Sequence, residues 1–113
     1  MTPADGARDE TPSDGPASDQ TGNPVLHRTL QIRNRRGLHA RAAAKFVALA
    51  EKFGATVDVV KDGQAVSARS IMGLMMLGAG IGASIELQAQ GWDAKEAMDA
   101  LADLVEAGFN EQE

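Results

Sequence analysis

The sequence predicts an α+β domain: one four-stranded, mostly antiparallel sheet with three helices packed on one face. Three observations lead there. Apolar residues recur at period two in four short stretches and at helical spacing in three others, in the order β-α-β-β-α-β-α. An Asp-Gly pair, Asp62-Gly63, sits between the second and third of the strand-like stretches and suits a tight antiparallel hairpin. Helices that each bury one stripe need a sheet face to cover, and a single shared face is the simplest arrangement.

The elements follow in order. Residues 1–23 are rich in Asp, Pro, Gly, Ser and Thr, with only Ala as an apolar side chain after Met1. Such a stretch cannot bury enough surface to offset its ordering entropy, so a disordered acidic N-terminal tail is expected, with the domain occupying 24–113. Val25 to Arg33 reads as a strand, with Leu26, Leu30 and Ile32 on one face and Arg28 interrupting it. Asn34 to Gly37 is a polar loop. Ala40 to Phe53 is the strongest helix, with a stripe of Ala43, Phe46, Val47, Ala50 and Phe53; Lys52 falls in its last turn and Gly54 fits its C-cap. Thr56 to Val60 alternates, and Ala65 to Ala68 is its short hairpin partner. Ser70 to Leu77 predicts a short helix with Ser70 as N-cap and Gly78 as terminator. Ser84 to Ala89 alternates again. Asp93 to Ala107 is the last helix, with Asp93 and Glu96 spaced as a capping box and Gly108 at its end.

Composition narrows the function classes. The chain has 113 residues, enough for one domain, and its core must come from Ala, Val, Leu, Ile and Met because there are only three Phe, one Trp and no Tyr. With no cysteine, disulfides and thiolate metal sites are excluded. Two histidines without an HExxH-type spacing predict no metal site. No apolar run reaches the ~18 residues of a membrane helix, and the N-terminus lacks the basic start and apolar stretch of a signal peptide. A soluble, cytoplasmic monomer is expected. The net charge of -5 is unevenly placed. The first 23 residues carry five acids against Arg8, and nine of the ten bases that follow lie at or before Arg69. After Gly91 there are seven acids and only Lys95. One basic region suits an anionic ligand or an acidic protein partner. Nucleic acid is not expected, because no aromatic residues are interleaved with the bases.

Chemistry points to the junction of the polar loop and the long helix, Gly37-Leu38-His39-Ala40-Arg41. There His39 stands at the N-cap or first helical position. The backbone N–H groups of Ala40 and Arg41 and the helix dipole make an anion site. Arg41 adds positive charge, as do Arg33, Arg35 and Arg36. An unperturbed imidazole, with a pKa of ~6.5, is mostly neutral near pH 7 and is then a nucleophile. Such a histidine can attack a phosphoryl donor and hold the dianion against the helix start. Gly37 allows a tight turn and leaves the approach to His39 open. The plainer alternative is a histidine that only caps a helix, beside arginines that form a solvated face.

The stretch from Gly37 to Val47, GLHARAAAKFV, resembles the active-site motif of the histidine-containing phosphocarrier (HPr) family. The stretch from Ser70 to Gly78, SIMGLMMLG, resembles that family's second signature, and the separation of the two also fits. The resemblance covers about residues 24–108. It implies an open-faced β-sandwich, a phosphohistidine formed at Nδ1 of His39, and an assisting arginine at Arg41. It implies Enzyme I of the phosphoenolpyruvate-dependent phosphotransferase system as donor and EIIA-type proteins as acceptors. It also implies regulatory phosphorylation of Ser70 by an HPr kinase/phosphorylase in many members. One departure is Ala42, where many sugar-branch members have proline. Alanine is an excellent helix former, so the fold stands, and the pattern looks more like the nitrogen-related or proteobacterial regulatory branch.

The remaining features weigh less. Ser70 is an N-cap as structure and a kinase target as function; a phosphate at a helix start is electrostatically tolerated. Ile71, Met72 and Met75 form an adaptable apolar docking patch, whereas Leu74 and Leu77 are core candidates. Gly78-Ala79-Gly80-Ile81-Gly82 is not a nucleotide loop: it lacks the GxGxxG spacing and a following Walker lysine, and it leads into a strand. His27 should be an exposed side chain, and Asp99 and Asp103 the solvated face of the last helix. No cofactor is expected, and nothing forms the acid–base set of an independent enzyme. Two functions remain: a stoichiometric phosphocarrier, and a regulatory binding module that works mainly by phosphorylation-dependent docking.

Overall fold

The computed structural model describes residues 24–111, so the expected N-terminal tail lies outside the described residues. Four strands form one sheet: β1 (Leu26–Gln31), β2 (Thr56–Lys61), β3 (Gln64–Ser67) and β4 (Ser84–Gln90). Three helices accompany them: α1 (Ala40–Ala50), α2 (Ile71–Met76) and α3 (Ala94–Glu106). The strand order is β1-β4-β2-β3, and every neighbouring pair is antiparallel. The last strand therefore inserts between the first and second, which a simple meander would not do.

Register follows from the period-two pattern. Leu30 faces Ile85, Val59 faces Leu87 and Val57 faces Ala89, so their side chains line one side of the sheet. These residues are buried, together with Phe46 and Val47 of α1, Leu74 of α2, and Met98, Leu101 and Val105 of α3. The intervening residues, including Thr29, Asp58, Glu86 and Gln88, are exposed or only half-buried, so the opposite face is open. At the β2–β3 hairpin Lys61 pairs with Gln64, and Asp62 and Gly63 both take positive φ, 52° and 82°. Two left-handed residues in a two-residue loop are what a type I′ turn requires, and Asp-Gly supplies them cheaply.

Several sequence expectations need correction. Helix α1 ends at Ala50 with Glu51 as C-cap, so Lys52 and Phe53 lie beyond it and Gly54 is no cap. Asp93 precedes α3 but makes no capping hydrogen bond there. Its carboxylate instead accepts from the backbone N–H of Gly54 at 2.9 Å and of Ala55 at 2.8 Å. The buried Asp93 thus ties the start of the last helix to the loop leaving the first. Arg28, which interrupts the apolar face of β1, reaches Asp99 of α3 at 2.8 Å, and Lys95 meets the same carboxylate at 2.9 Å. Asp99 is therefore a bridging residue, and these two cations hold its carboxyl below the ordinary range, Lys95 most strongly. Asp103 is exposed, as expected. His27 is also exposed, although its Nδ1 lies 2.7 Å from Glu86.

Candidate functional site

The loop from Asn34 to Leu38 sets the position of His39. Asn34 is buried; its carbonyl accepts from the Gly37 N–H, and its amide donates to the Gly37 carbonyl at 2.8 Å. The Leu38 N–H donates to Ala79 at 3.0 Å, so the loop is also held by the segment after α2. Gly37 has φ +68°, and a Cβ there would lie 2.3 Å from the Ala79 carbonyl oxygen. Its small size is thus needed for packing against a neighbouring backbone, beyond the tight turn expected from sequence.

His39 is the N-cap of α1, with extended backbone, and its carbonyl accepts the Ala43 N–H. Its Nδ1 accepts a long hydrogen bond, 3.3 Å, from the Arg41 backbone N–H. On the other side of the ring, Nε2 is hydrogen-bonded to the carboxylate of Glu111. These partners suit the tautomer in which Nδ1 accepts with its lone pair while Nε2 carries the proton and donates. The lone pair points to the start of α1, where the N–H groups of the first turn lack helical acceptors. Ala40 and Arg41 open that turn, as expected.

An open cavity of about 410 Å³ adjoins the ring, lined by Arg35, Arg36, His39, Arg41, Lys45, Asn110 and Glu111. Four of the seven are cations, so the cavity favours an anion. Arg33, exposed beyond β1, does not line it.

Sequence reasoning missed Glu111, Asn34 and Lys45. All three act through the C-terminal segment. After α3, Gly108, Phe109 and Asn110 take successive left-handed conformations, φ 63°, 58° and 60°, and turn the chain back. Phe109 is fully buried, and Lys45 Nζ donates to its carbonyl at 2.7 Å. Asn34 donates to Glu111 at 3.1 Å. The hydrogen bond from His39 holds the Glu111 carboxyl below its ordinary value; partial burial opposes this, and the Asn34 hydrogen bond and Lys45 charge reinforce it. One sequence signal was available: an apolar Phe109 just past a helix-ending glycine suggests a chain that packs back.

Ser70 lies apart from this cavity, as the N-cap of α2, and its hydroxyl accepts from Gly73 N–H at 2.9 Å. On α2, Leu74 and Leu77 face the core, while Ile71, Met72, Met75 and Met76 are exposed; Met76 extends the expected patch. Ile81, in the loop that follows, is exposed too. Among the described residues there is no group of side chains arranged to hold a metal ion, and no helix long and apolar enough to cross a membrane.

A family model described as "PTS HPr component phosphorylation site" matches residues 26–107. The phosphocarrier protein HPr of Cupriavidus necator is 48% identical over 79% of this chain and all of that protein. The phosphocarrier protein NPr of Shewanella violacea is 45% identical over 76% of this chain and 94% of that one. The crystal structure of HPr from Thermoanaerobacter tengcongensis superimposes with a TM-score of 0.74 at 46% identity, covering 78% of this chain and 99% of that one.

Proposed function

Because the chain belongs to the HPr family of phosphocarrier proteins, we propose that it accepts a phosphoryl group on His39 Nδ1 from Enzyme I and passes it to EIIA-type proteins. The observation that carries this reading is the orientation of the ring. The unprotonated nitrogen faces the helix start, where the Arg41 N–H already meets it, and the cationic cavity lies alongside. The backbone N–H groups of Ala40 and Arg41 would contact the transferred phosphoryl oxygens, and the Arg41 guanidinium would offset their charge. A cavity this open leaves the phosphorus accessible to a second protein, as a carrier requires. The protein acts stoichiometrically: each phosphoryl group that arrives leaves again, and no separate substrate pocket is needed.

Docking completes the reading. Ile71, Met72, Met75 and Met76 present flexible apolar side chains on α2, whose following loop holds the His39 loop through the Leu38–Ala79 hydrogen bond. Partners that reach His39 would cover this surface. Ser70, half-buried at the start of α2, is the proposed regulatory site for an HPr kinase/phosphorylase. A phosphate there would lose the hydroxyl's present geometry but keep the favourable helix start, and would place negative charge beside the docking face.

The test is incubation with phosphoenolpyruvate and Enzyme I from the sugar and nitrogen branches, followed by intact mass and acid lability. One acid-labile phosphoryl group, absent from His39→Ala, is expected. Undiminished acid-labile labelling of His39→Ala would refute the site. A second reading, a docking regulator, draws on the same exposed methionines. In that case Met72→Glu abolishes partner capture, while His39→Ala leaves binding of the unphosphorylated protein unchanged.

A further inference from the structure

Resting on the reading of His39 as phosphoryl acceptor, we infer that Glu111 is a positioning residue: its carboxylate on Nε2 holds the imidazole in the tautomer that leaves Nδ1 nucleophilic, and faces the charge that develops on the ring. Three observations point this way. First, Glu111 is the only acid among the described residues lining the cavity, and its carboxylate is hydrogen-bonded to Nε2 of His39. Second, its orientation is fixed from a second side by the amide of buried Asn34, which also braces Gly37 in the His39 loop. Third, the chain spends conformational energy to bring it there. Phe109 and Asn110 are left-handed non-glycine residues in succession, an arrangement held by the buried Phe109 ring and the Lys45 hydrogen bond.

The chemistry follows from the proton's place. Nδ1 donates its lone pair to phosphorus, and the donor's bond to phosphorus breaks with its electron pair remaining on the donor. Nε2 keeps its proton throughout, so the ring becomes cationic as the P–Nδ1 bond forms. The Glu111 carboxylate, already hydrogen-bonded to that N–H, faces the new charge without rearrangement. On transfer to the acceptor the P–Nδ1 electron pair returns to the ring, and the charge disappears. Without the carboxylate, Nδ1–H and Nε2–H tautomers compete, and the first cannot attack.

The experiment compares the full chain with its Glu111→Ala variant. Nitrogen-15 NMR of the imidazole, read at a pH where the ring is neutral, reports the tautomer, and steady-state phosphorylation by Enzyme I and phosphoenolpyruvate reports kcat and KM. The native protein should show a proton on Nε2 alone. Glu111→Ala should show mixed tautomers, with kcat lower by about tenfold, the scale of losing a group that orients a histidine, and KM within about twofold. An unchanged tautomer, or a changed tautomer with unchanged kcat, overturns the inference. Glu111→Leu, which keeps bulk but offers no acceptor to Nε2–H, replaces the alanine variant if circular dichroism shows that the latter does not fold. Failure of the native protein to accept phosphate at all would count against the carrier reading, while the NMR comparison would still decide the role of Glu111 in setting the tautomer.

Discussion

Gly37→Ala should destabilise the protein by about 3 kcal/mol, and the contributions can be worked from its surroundings. At φ +68° an alanine sits in the left-handed region, which costs it about 1 kcal/mol. The added Cβ would lie 2.3 Å from the Ala79 carbonyl oxygen and 2.8 Å from Gly80 Cα. Both are backbone atoms, so relief requires moving a chain segment, and such overpacking costs about 2 kcal/mol. The movement must also stretch the 3.0 Å Leu38–Ala79 hydrogen bond, which borders His39. Gly80→Ala is the matched control. A Cβ there meets open space, and the substitution should stay within about 0.5 kcal/mol. Urea denaturation of the three proteins reads both values. A loss below about 1 kcal/mol for Gly37→Ala would refute the claim that the Ala79–Gly80 backbone fixes the His39 loop.

Two further outcomes follow from particular contacts. Asp93→Ala should cost about 3 kcal/mol in the same assay, because two hydrogen bonds from backbone N–H groups to a buried carboxylate are lost at once; a loss under about 1 kcal/mol would show that the α1–β2 loop does not depend on it. The Glu111 carboxyl titrates below its ordinary 4.5 in the folded protein, so the stability it contributes is fully present above that value and disappears as pH falls from there through the folded pKa. Glu111→Gln should flatten that part of the stability–pH curve, and identical curves for the two proteins would contradict the docked position of the C-terminal segment.

Much of this was legible in the chain itself. Period-two stretches and helical stripes located the seven elements in order, because each depends on local side-chain alternation. Asp62-Gly63 determined its turn through backbone conformations that few residue pairs adopt. Ser70 was recognisable as an N-cap, since capping joins residues three apart, and Ser70 does meet Gly73. His39 was placed at the start of α1, and Arg41 in its first turn, for the same reason: an N-cap and the first-turn N–H groups lie within two residues.

What only the tertiary structure decided involves residues far apart in sequence. Asp93 looked like a capping box with Glu96, yet packing offered it the buried N–H of Ala55 and the part-buried N–H of Gly54, and leaving those unpaired would cost more than leaving one helix end to water. Arg28 looked like a break in an apolar strand face, and only the placement of α3 supplied Asp99 as its partner. Insertion of β4 between β1 and β2 also rests on long-range pairing that no local pattern encodes. The same holds at the site. The sequence determined which nitrogen-bearing side chain would stand at the helix start, because that is a matter of neighbouring residues. The partner of its Nε2 is Glu111, 72 residues away, brought there by a returning chain that the buried Phe109 anchors.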